Sequence, residues 1–460
     1  MTETRRFKPR AAEIVFATFA ALALASPVLA QDAHYWTLQY GPRSALLGGA
    51  VIGSVDDVSA TFYNPGAVAL ATDLAFAVST DVFEYTTIAL EDGGGDGVDL
   101  GTAKTGLRPS LVAGTITRDL FGGGGILAYS ALTRSRGTQD LAGAVILEGQ
   151  ELPPDAGLDD AVGSVDFTGR FNDFWGGLTY SQGLGENFGI GVTWYGAVRS
   201  QNRQRQSTTQ FIGTDGSGLS EIDNSSGEYT AFRTLFKLGA SFAAGSVTGG
   251  ATVTTPSIHI SGSGDLGLLR STIGADTTAL LAGIQTGLPA EYKSPLSVGG
   301  GLAWRIGAAR LHGSLEWFDK VDPYVVIQGT EIQAQEPETE STVLDAVQEQ
   351  TSVTNWGLGL EYALNETFGG YVSYYTDNSN LDDDIERAGL SILPIDIKTL
   401  TLGTDFVLRT ARFTLGIGYG WGSEIDRELT DLLRREDADF QATYVYRSIK
   451  LLFGFEIGVG

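Results

Sequence analysis

The residues able to do chemistry are few and scattered. The 460-residue chain holds three histidines, His34, His259 and His312, and no cysteine. Without cysteine there are no disulfides and no thiolate nucleophile. Three separated histidines do not compose a transition-metal site of ordinary ligand set, so no metal is expected. Ser257, His259 and Ser261 stand close enough for a serine–histidine pair. No Gly-x-Ser-x-Gly or His-Glu-x-x-His context surrounds them, and a histidine in a strand wall is the better reading. Gly122–Gly125 lacks the Lys-Ser/Thr ending of a phosphate loop and reads as a turn. The expectation is a non-enzyme with no catalytic residue and no cofactor.

Acid dominates the charge: 55 Asp and Glu against 30 Lys and Arg, a formal net charge of −25. That balance repels phosphate backbones, so nucleic acid is not a partner. Most of the acid gathers in polar stretches: Glu91, Asp92, Asp96 and Asp99; Glu331, Glu336, Glu338 and Glu340; Asp382, Asp383 and Asp384; Glu436, Asp437 and Asp439. Asp382–Asp384 offers a Ca²⁺ site or a divalent bridge to anionic surface glycolipid. With no EF-hand spacing, solvation of exposed loops is the simpler account.

The elements that carry these residues follow a targeting segment. Arg5, Arg6, Lys8 and Arg10 precede an apolar core from Ile14 to Ala25, and Val28-Leu29-Ala30 supplies a cleavage signal before Gln31. That core has the length of a signal peptide rather than a membrane span. Arg5-Arg6 hints at a twin-arginine signal, but the rest of that pattern is incomplete and the general route is preferred. Residues 1–30 are therefore expected to be a signal peptide. Its removal takes four bases and two acids (Glu3, Glu13), leaving 26 basic and 53 acidic residues, a balance of −27.

No apolar run of about eighteen residues follows, so no transmembrane helix is available. Glycine, at 62 of 460 residues, is spread through alternating segments instead of being gathered in a linker. From Arg412 to Gly422, Phe413, Leu415, Ile417, Tyr419 and Trp421 point one way, and Thr414, Gly416, Gly418, Gly420 and Gly422 the other. Period two places each set on its own sheet face, one suited to lipid and one small and polar. The pattern recurs at Phe188–Trp194, Leu296–Ile306 and Ile449–Ile457. It predicts an all-β, transmembrane antiparallel barrel in which about fourteen strands occupy residues 73–460. A soluble sandwich or solenoid is the alternative.

Strand starts are expected near Asp73, Arg108, Gly125, Asp166, Asn187, Glu228, Val247, Glu291, Ala309, Glu349, Thr367, Pro394, Ala411 and Gln441. Short turns alternate with long polar loops, which places the turns and both termini in the periplasm. One loop differs: Asp265–Gly287 is rich in leucine and isoleucine. It is expected to be helical, packing on the barrel mouth or meeting an apolar ligand.

Tyr40–Asp73 does not alternate. Ala45–Ile52 suits a short helix, Asp56, Asp57 or Ser59 caps a second helical turn, and Pro65 forces Asn64 out of helical geometry. Residues 31–72 are expected to form a plug inside the barrel; a periplasmic extension packed beneath it is the alternative. Gly41–Ala50 followed by Asp56-Asp57-Val58-Ser59-Ala60-Thr61-Phe62-Tyr63-Asn64-Pro65 resembles the N-terminal signature of the outer-membrane long-chain fatty-acid and hydrocarbon transporters (FadL/TodX type). Tyr292-Lys293-Ser294-Pro295-Leu296-Ser297, with Trp304-Arg305-Ile306-Gly307 after it, is also similar to that family.

The resemblance implies a fourteen-stranded barrel in the bacterial outer membrane, closed by an N-terminal hatch. Asn64, Pro65 and Gly66 match the family's hatch motif Asn-Pro-Ala. It further implies passive uptake of hydrophobic small molecules, fatty acids or hydrocarbons, through a lumenal site and a gap in the wall. The implied partners are that ligand, outer-membrane lipid and the barrel assembly machinery. Two departures stand out. Gly66 replaces the motif's alanine, and Phe455–Gly460 lacks a final aromatic, leaving Phe453 and Phe455 as nearest candidates for an assembly signal. The substrate-binding residues do not carry over. A PorV-like barrel serving secretion or surface attachment shares the same start. A general porin would need facing rows of Arg and Asp/Glu that the Gly/Thr/Ser inner face largely lacks.

Overall fold

Alternation along each strand decides which side of the sheet meets which solvent. On the strand Ala411–Asp426, Leu415, Ile417 and Tyr419 are 44–49% exposed, while Thr414, Gly418 and Gly420 between them are buried. Phe188, Ile190 and Trp194 repeat this on Phe188–Gly213. So wide an apolar exterior has no place in water. It is the lipid-facing belt of a membrane barrel.

The computed structural model describes residues 34–71, 76–93, 99–120, 123–148, 158–274, 278–336, 341–381, 395–426 and 442–457. The expected signal peptide 1–30, Asp382–Asp384, Glu436–Asp439 and the last three residues lie outside them. In chain order the strands are β1 Phe76–Glu91, β2 Leu100–Leu120, β3 Gly125–Glu148, β4 Leu158–Gly183, β5 Phe188–Gly213, β6 Gly218–Ala244 and β7 Val247–Thr254. They continue as β8 Ile258–Gly274, β9 Thr278–Pro289, β10 Ser297–Ile306, β11 Ala309–Phe318, β12 Val321–Ile327, β13 Glu331–Gln333, β14 Ser341–Val343 and β15 Ala346–Gln350. The last five are β16 Val353–Ala363, β17 Phe368–Asp377, β18 Ile397–Leu408, β19 Ala411–Asp426 and β20 Ala442–Ile457. Fourteen of them, β1–β7, β10, β11 and β16–β20, form one antiparallel ring. It closes between β1 and β20, from Phe76 against Ile457 to Glu91 against Thr443. The expected strand number is met. The expected turns also fall where short connections join consecutive strands, as at Gly307 between β10 and β11.

Several expected loops are strand instead. β4, β5 and β6 run 26, 26 and 27 residues, well beyond the roughly ten needed to cross a bilayer. Only residues 214–217 connect β5 and β6, where the alternation of short turns and long loops called for a long one. Asp265–Gly287 is not helical: it lies in the β8–β9 hairpin. The outer half of β6, Leu219–Thr234, offers a free edge that β8 pairs with. Gly262, Gly264 and Gly267 weaken any helix there. Its leucines do pack on the mouth: Leu266 and Leu268 are buried with Tyr324, Val326, Ile327 and Leu344.

Among the described residues, two lapses in the ladder bear on the lumen. Between β2 and β3 pairing holds at Gly101–Ala142, lapses, and resumes at Leu111–Leu132, beside a β3 irregularity at Thr133/Ser135. Lys104 and Asp140 form an ion pair across that lapse. The second interruption separates β7 from β8 at Thr255-Pro256-Ser257, facing the non-strand stretch between β9 and β10. Proline has no N–H to give to a ladder.

Replacing a belt residue with a charge tests the lipid-facing assignment. Ile417→Arg should destabilise the barrel by about 2–4 kcal/mol, as for a cation near the bilayer midplane. Urea unfolding in lipid vesicles measures it. An effect no larger than that of Ile417→Val would place this face away from lipid.

Candidate functional site

The N-terminal segment has little regular structure of its own: helical turns at Pro42–Leu46 and Ala60–Tyr63, then a 3₁₀ turn Pro65–Ala69. Leu46, Leu47, Val51, Ala60 and Val68 are nevertheless fully buried, because wall strands surround them. Asn64 leaves helical geometry at φ −157° and ψ 97°, as expected for a residue before proline. Its amide nitrogen donates to the carbonyls of Ile52 (2.9 Å) and Ala240 (3.0 Å), and its oxygen accepts from Gly66 N–H (3.1 Å). One side chain thus ties the segment to itself and to β6.

Glycines on both partners make that approach possible. A Cβ on Gly66 would stand 2.7 Å from the carbonyl oxygens of Gly189 and Gly239. Conversely, a Cβ on Gly191 would lie 2.3 Å from Pro65 O, and one on Gly239 2.3 Å from Asn64 Oδ1. The departure from alanine at position 66 is therefore compatible with the seat: the wall comes too close for any side chain. Asn64, Pro65 and Gly66 are brought together against the inner faces of β5 and β6.

Ionic and polar contacts hold the rest. Arg43, 2% exposed, donates to Asp56 (3.1 Å), to Ser54 O (3.3 Å) and, through Nε, to Glu361 on β16 (3.2 Å). His312 on β11 bonds Ser54 Oγ at 2.8 Å and lies 3.3 Å from Glu361. The Tyr35 and Trp36 N–H groups donate to Asp377 at 3.0 and 2.7 Å. His34 lies against the Asp377 carbonyl at 3.1 Å. His34 to Trp36 thus lie against the last residue of β17; the residues before them, where the expected periplasmic N-terminus would fall, are outside the described residues. His259 is exposed, and among the described residues it makes no hydrogen bond to Ser257 or Ser261. Ser257 accepts from Ser294 N–H instead (2.9 Å).

Above the segment the lumen is lined by cations stacked on aromatic rings. Arg203 lies 5.4 Å from the Phe167 ring, Arg199 4.2 Å from Tyr292, and Arg233 4.8 Å from the same ring. Lower down, Arg134 stands over Tyr35, Phe62 and Trp175 at 5.6–5.8 Å, and Lys237 over Phe62 at 4.6 Å. Arg233 pairs with Asp173, and Lys237 lies 3.7 Å from Glu316. Such contacts contribute about 0.5–2 kcal/mol each, more when desolvated. The cavity between them is narrow, ≈ 30 Å³, so a ligand must displace side chains. Near the mouth, Gln139 on β3 and Arg203 on β5 flank Gly169 of β4 in register. Both Gln139 amide atoms and Arg203 Nε are buried, and among the described residues they have no hydrogen-bond partner.

The expectation of a Gly/Thr/Ser inner face without rows of charge is therefore wrong for β5 and β6. Arg199, Arg203 and Arg205 lie at even spacing, as do Arg233 and Lys237. That spacing was a usable signal, since period two puts each set on one face.

No family profile and no curated protein sequence matches this chain. Solved structures do. The Pseudomonas putida toluene transporter TodX is 14% identical, with 92% of this chain and 99% of that one covered and a TM-score of 0.59. The CymD monoaromatic hydrocarbon channel is 11% identical, with 92% and 98% covered and a TM-score of 0.56. A Pseudomonas aeruginosa FadL homologue is 11% identical, at 92% and 98% coverage with a TM-score of 0.50. The chain has the fold of the FadL/TodX-type transporters, a barrel of the bacterial outer membrane.

Asn64→Ala would orphan the Ile52 and Ala240 carbonyls, loosening the segment by about 1–3 kcal/mol. Faster amide exchange over residues 52–67, with the barrel still resistant to unfolding in detergent, is the expected result. Exchange matching the unaltered protein would show that Asn64 does not hold the seat.

Proposed function

We propose that this protein is an outer-membrane channel for passive uptake of hydrophobic small molecules, with residues 31–72 acting as its hatch. The observation that carries the reading is the inward line of aromatic-stacked cations that ends on Phe62 of the N-terminal segment. An apolar ligand gains contact with Phe167, Phe171, Tyr292, Trp175 and Phe62 in turn. The hatch blocks a straight path, and its loosening at Asn64-Pro65-Gly66 opens one. The lapse in pairing between β2 and β3 supports a lateral exit into the bilayer. The known transport channels of this fold support a non-enzymatic role.

Within hydrophobic compounds, fatty acids fit better than plain hydrocarbons. A carboxylate accepts from the buried Arg203 Nε and Gln139 Nε2, which an alkane leaves without partners. Charge-assisted hydrogen bonds of this kind are about twice as strong as neutral ones.

Two measurements test the reading. Expression in a host lacking its own fatty-acid transporter should restore uptake of a long-chain fatty acid; unchanged uptake, with a secreted protein co-purifying instead, would favour a secretion partner. The chain has no cysteine, so a Lys104→Cys/Asp140→Cys pair can be oxidised cleanly across the lapse. Oxidation should block uptake and reduction restore it, while equal uptake in both states rules out exit at this point.

A further inference from the structure

Beyond what passes through the lumen, the outer surface carries a polar groove. Two rows of outward side chains run in register across five strands, on the external side of the apolar belt. One row is Arg136, Asn172, Ser200, Thr230 and Ser263; the next is Thr138, Arg170, Asn202, Glu228 and Asp265. Strand geometry sets the rows about 7 Å apart, two residues along each strand. Immediately below lies the top of the belt, Phe174, Val198 and Phe232 in register on β4, β5 and β6. Phe174 and Phe232 are 44% and 45% exposed. A groove of ≈ 440 Å³ opens along these rows.

The groove is polarised. Arg136 and Arg170 stand exposed at its β3–β4 end, and among the described residues neither has an ion-pair partner. Glu228 and Asp265 stand at its β6–β8 end, already engaged: Asn202 donates to Glu228 at 3.0 Å and Gly287 N–H to Asp265 at 2.8 Å. Between the ends lie amide and hydroxyl groups only.

We propose that this groove binds the head group of a phosphorylated, acylated glycolipid of the outer leaflet. Its phosphate sits between the Arg136 and Arg170 guanidinium forks, which match phosphate oxygens in geometry as well as charge. Its sugar hydroxyls donate to and accept from Asn172, Ser200, Asn202 and Glu228. Its acyl chains descend over Phe174, Val198 and Phe232. The occupant is set by continuity: a phosphate site and a hydroxyl-binding shelf lie side by side in the same two rows, with an apolar wall directly below, and a phosphorylated, acylated sugar uses all three. A free anion uses only the first, and a phosphoglyceride has no use for the shelf.

The test uses the full chain in detergent, with native mass spectrometry reading retention of a purified bis-phosphorylated acylated disaccharide. The unaltered protein should retain one molecule. Arg136→Gln/Arg170→Gln should weaken retention about tenfold or more, since two charge-assisted pairs are lost. Lys398→Gln, an exposed residue on β18 outside the groove, should not. The dephosphorylated disaccharide and phosphatidylglycerol should both bind about tenfold more weakly to the unaltered protein. If the double variant does not fold, Arg136→Lys/Arg170→Lys keeps the charge without the fork and should show a partial loss. Equal retention by all variants, or equal binding with and without phosphate, overturns the assignment.

Discussion

The structure depends on one constraint: hydrocarbon offers no hydrogen bond to a backbone, so each wall strand must find its partners in its neighbours. The ring from β1 to β20 meets that demand by closing on itself. Places where it is not met then stand out. The lapse between β2 and β3 and the Pro256 interruption leave backbone groups outside the ladder, which a barrel tolerates only where protein or a polar lining covers them. Gln139 and Asp140 on β3 and Lys104 on β2 lie within that first lapse, so the polar side chains occur where the ladder fails.

The same closure explains the glycine. An inward face that must receive another backbone cannot carry side chains at the contact. Gly189, Gly191, Gly239 and Gly250 are therefore lumenal features of a seat as much as strand residues. Glycine weakens a strand by conformational entropy and lost packing. Here the loss is offset by burial of Leu46, Leu47, Val51 and Val68 and by the three hydrogen bonds of Asn64. Wall and N-terminal segment are one packing problem, and neither composition makes sense alone.

Much of the fold was legible for a simple reason. Period-two alternation is local, and it survives in β19 and β5 without knowledge of any partner. Strand number and short turns followed from it. Where the chain left the membrane the signal failed, because lipid no longer enforces an apolar outward face. The outer parts of β3, β4 and β6 are largely polar outside and read as loops. The β8–β9 hairpin went wrong differently: its leucines look amphipathic, but the deciding partner is the distant edge of β6. The seat of Asn64-Pro65-Gly66 was legible as a motif, while the atoms it meets were not.

Arg199, Arg203, Arg205, Arg233 and Lys237 show what a closer reading would have found. They were overlooked because charge in a strand is usually assigned to solvent. In a barrel the opposite holds: a charge at even spacing with lumenal residues points inward. Burial then has to be compensated, and here aromatic faces share the work with Asp173 and Glu316. An isolated buried cation costs several kcal/mol. Stacking on Phe167, Tyr292 and Phe62 lowers that cost without neutralising the charge. A lumen built this way offers apolar ring faces and positive charge together. A lining of aliphatic residues alone would lack that second property, and a lining of paired charges alone would lack the first.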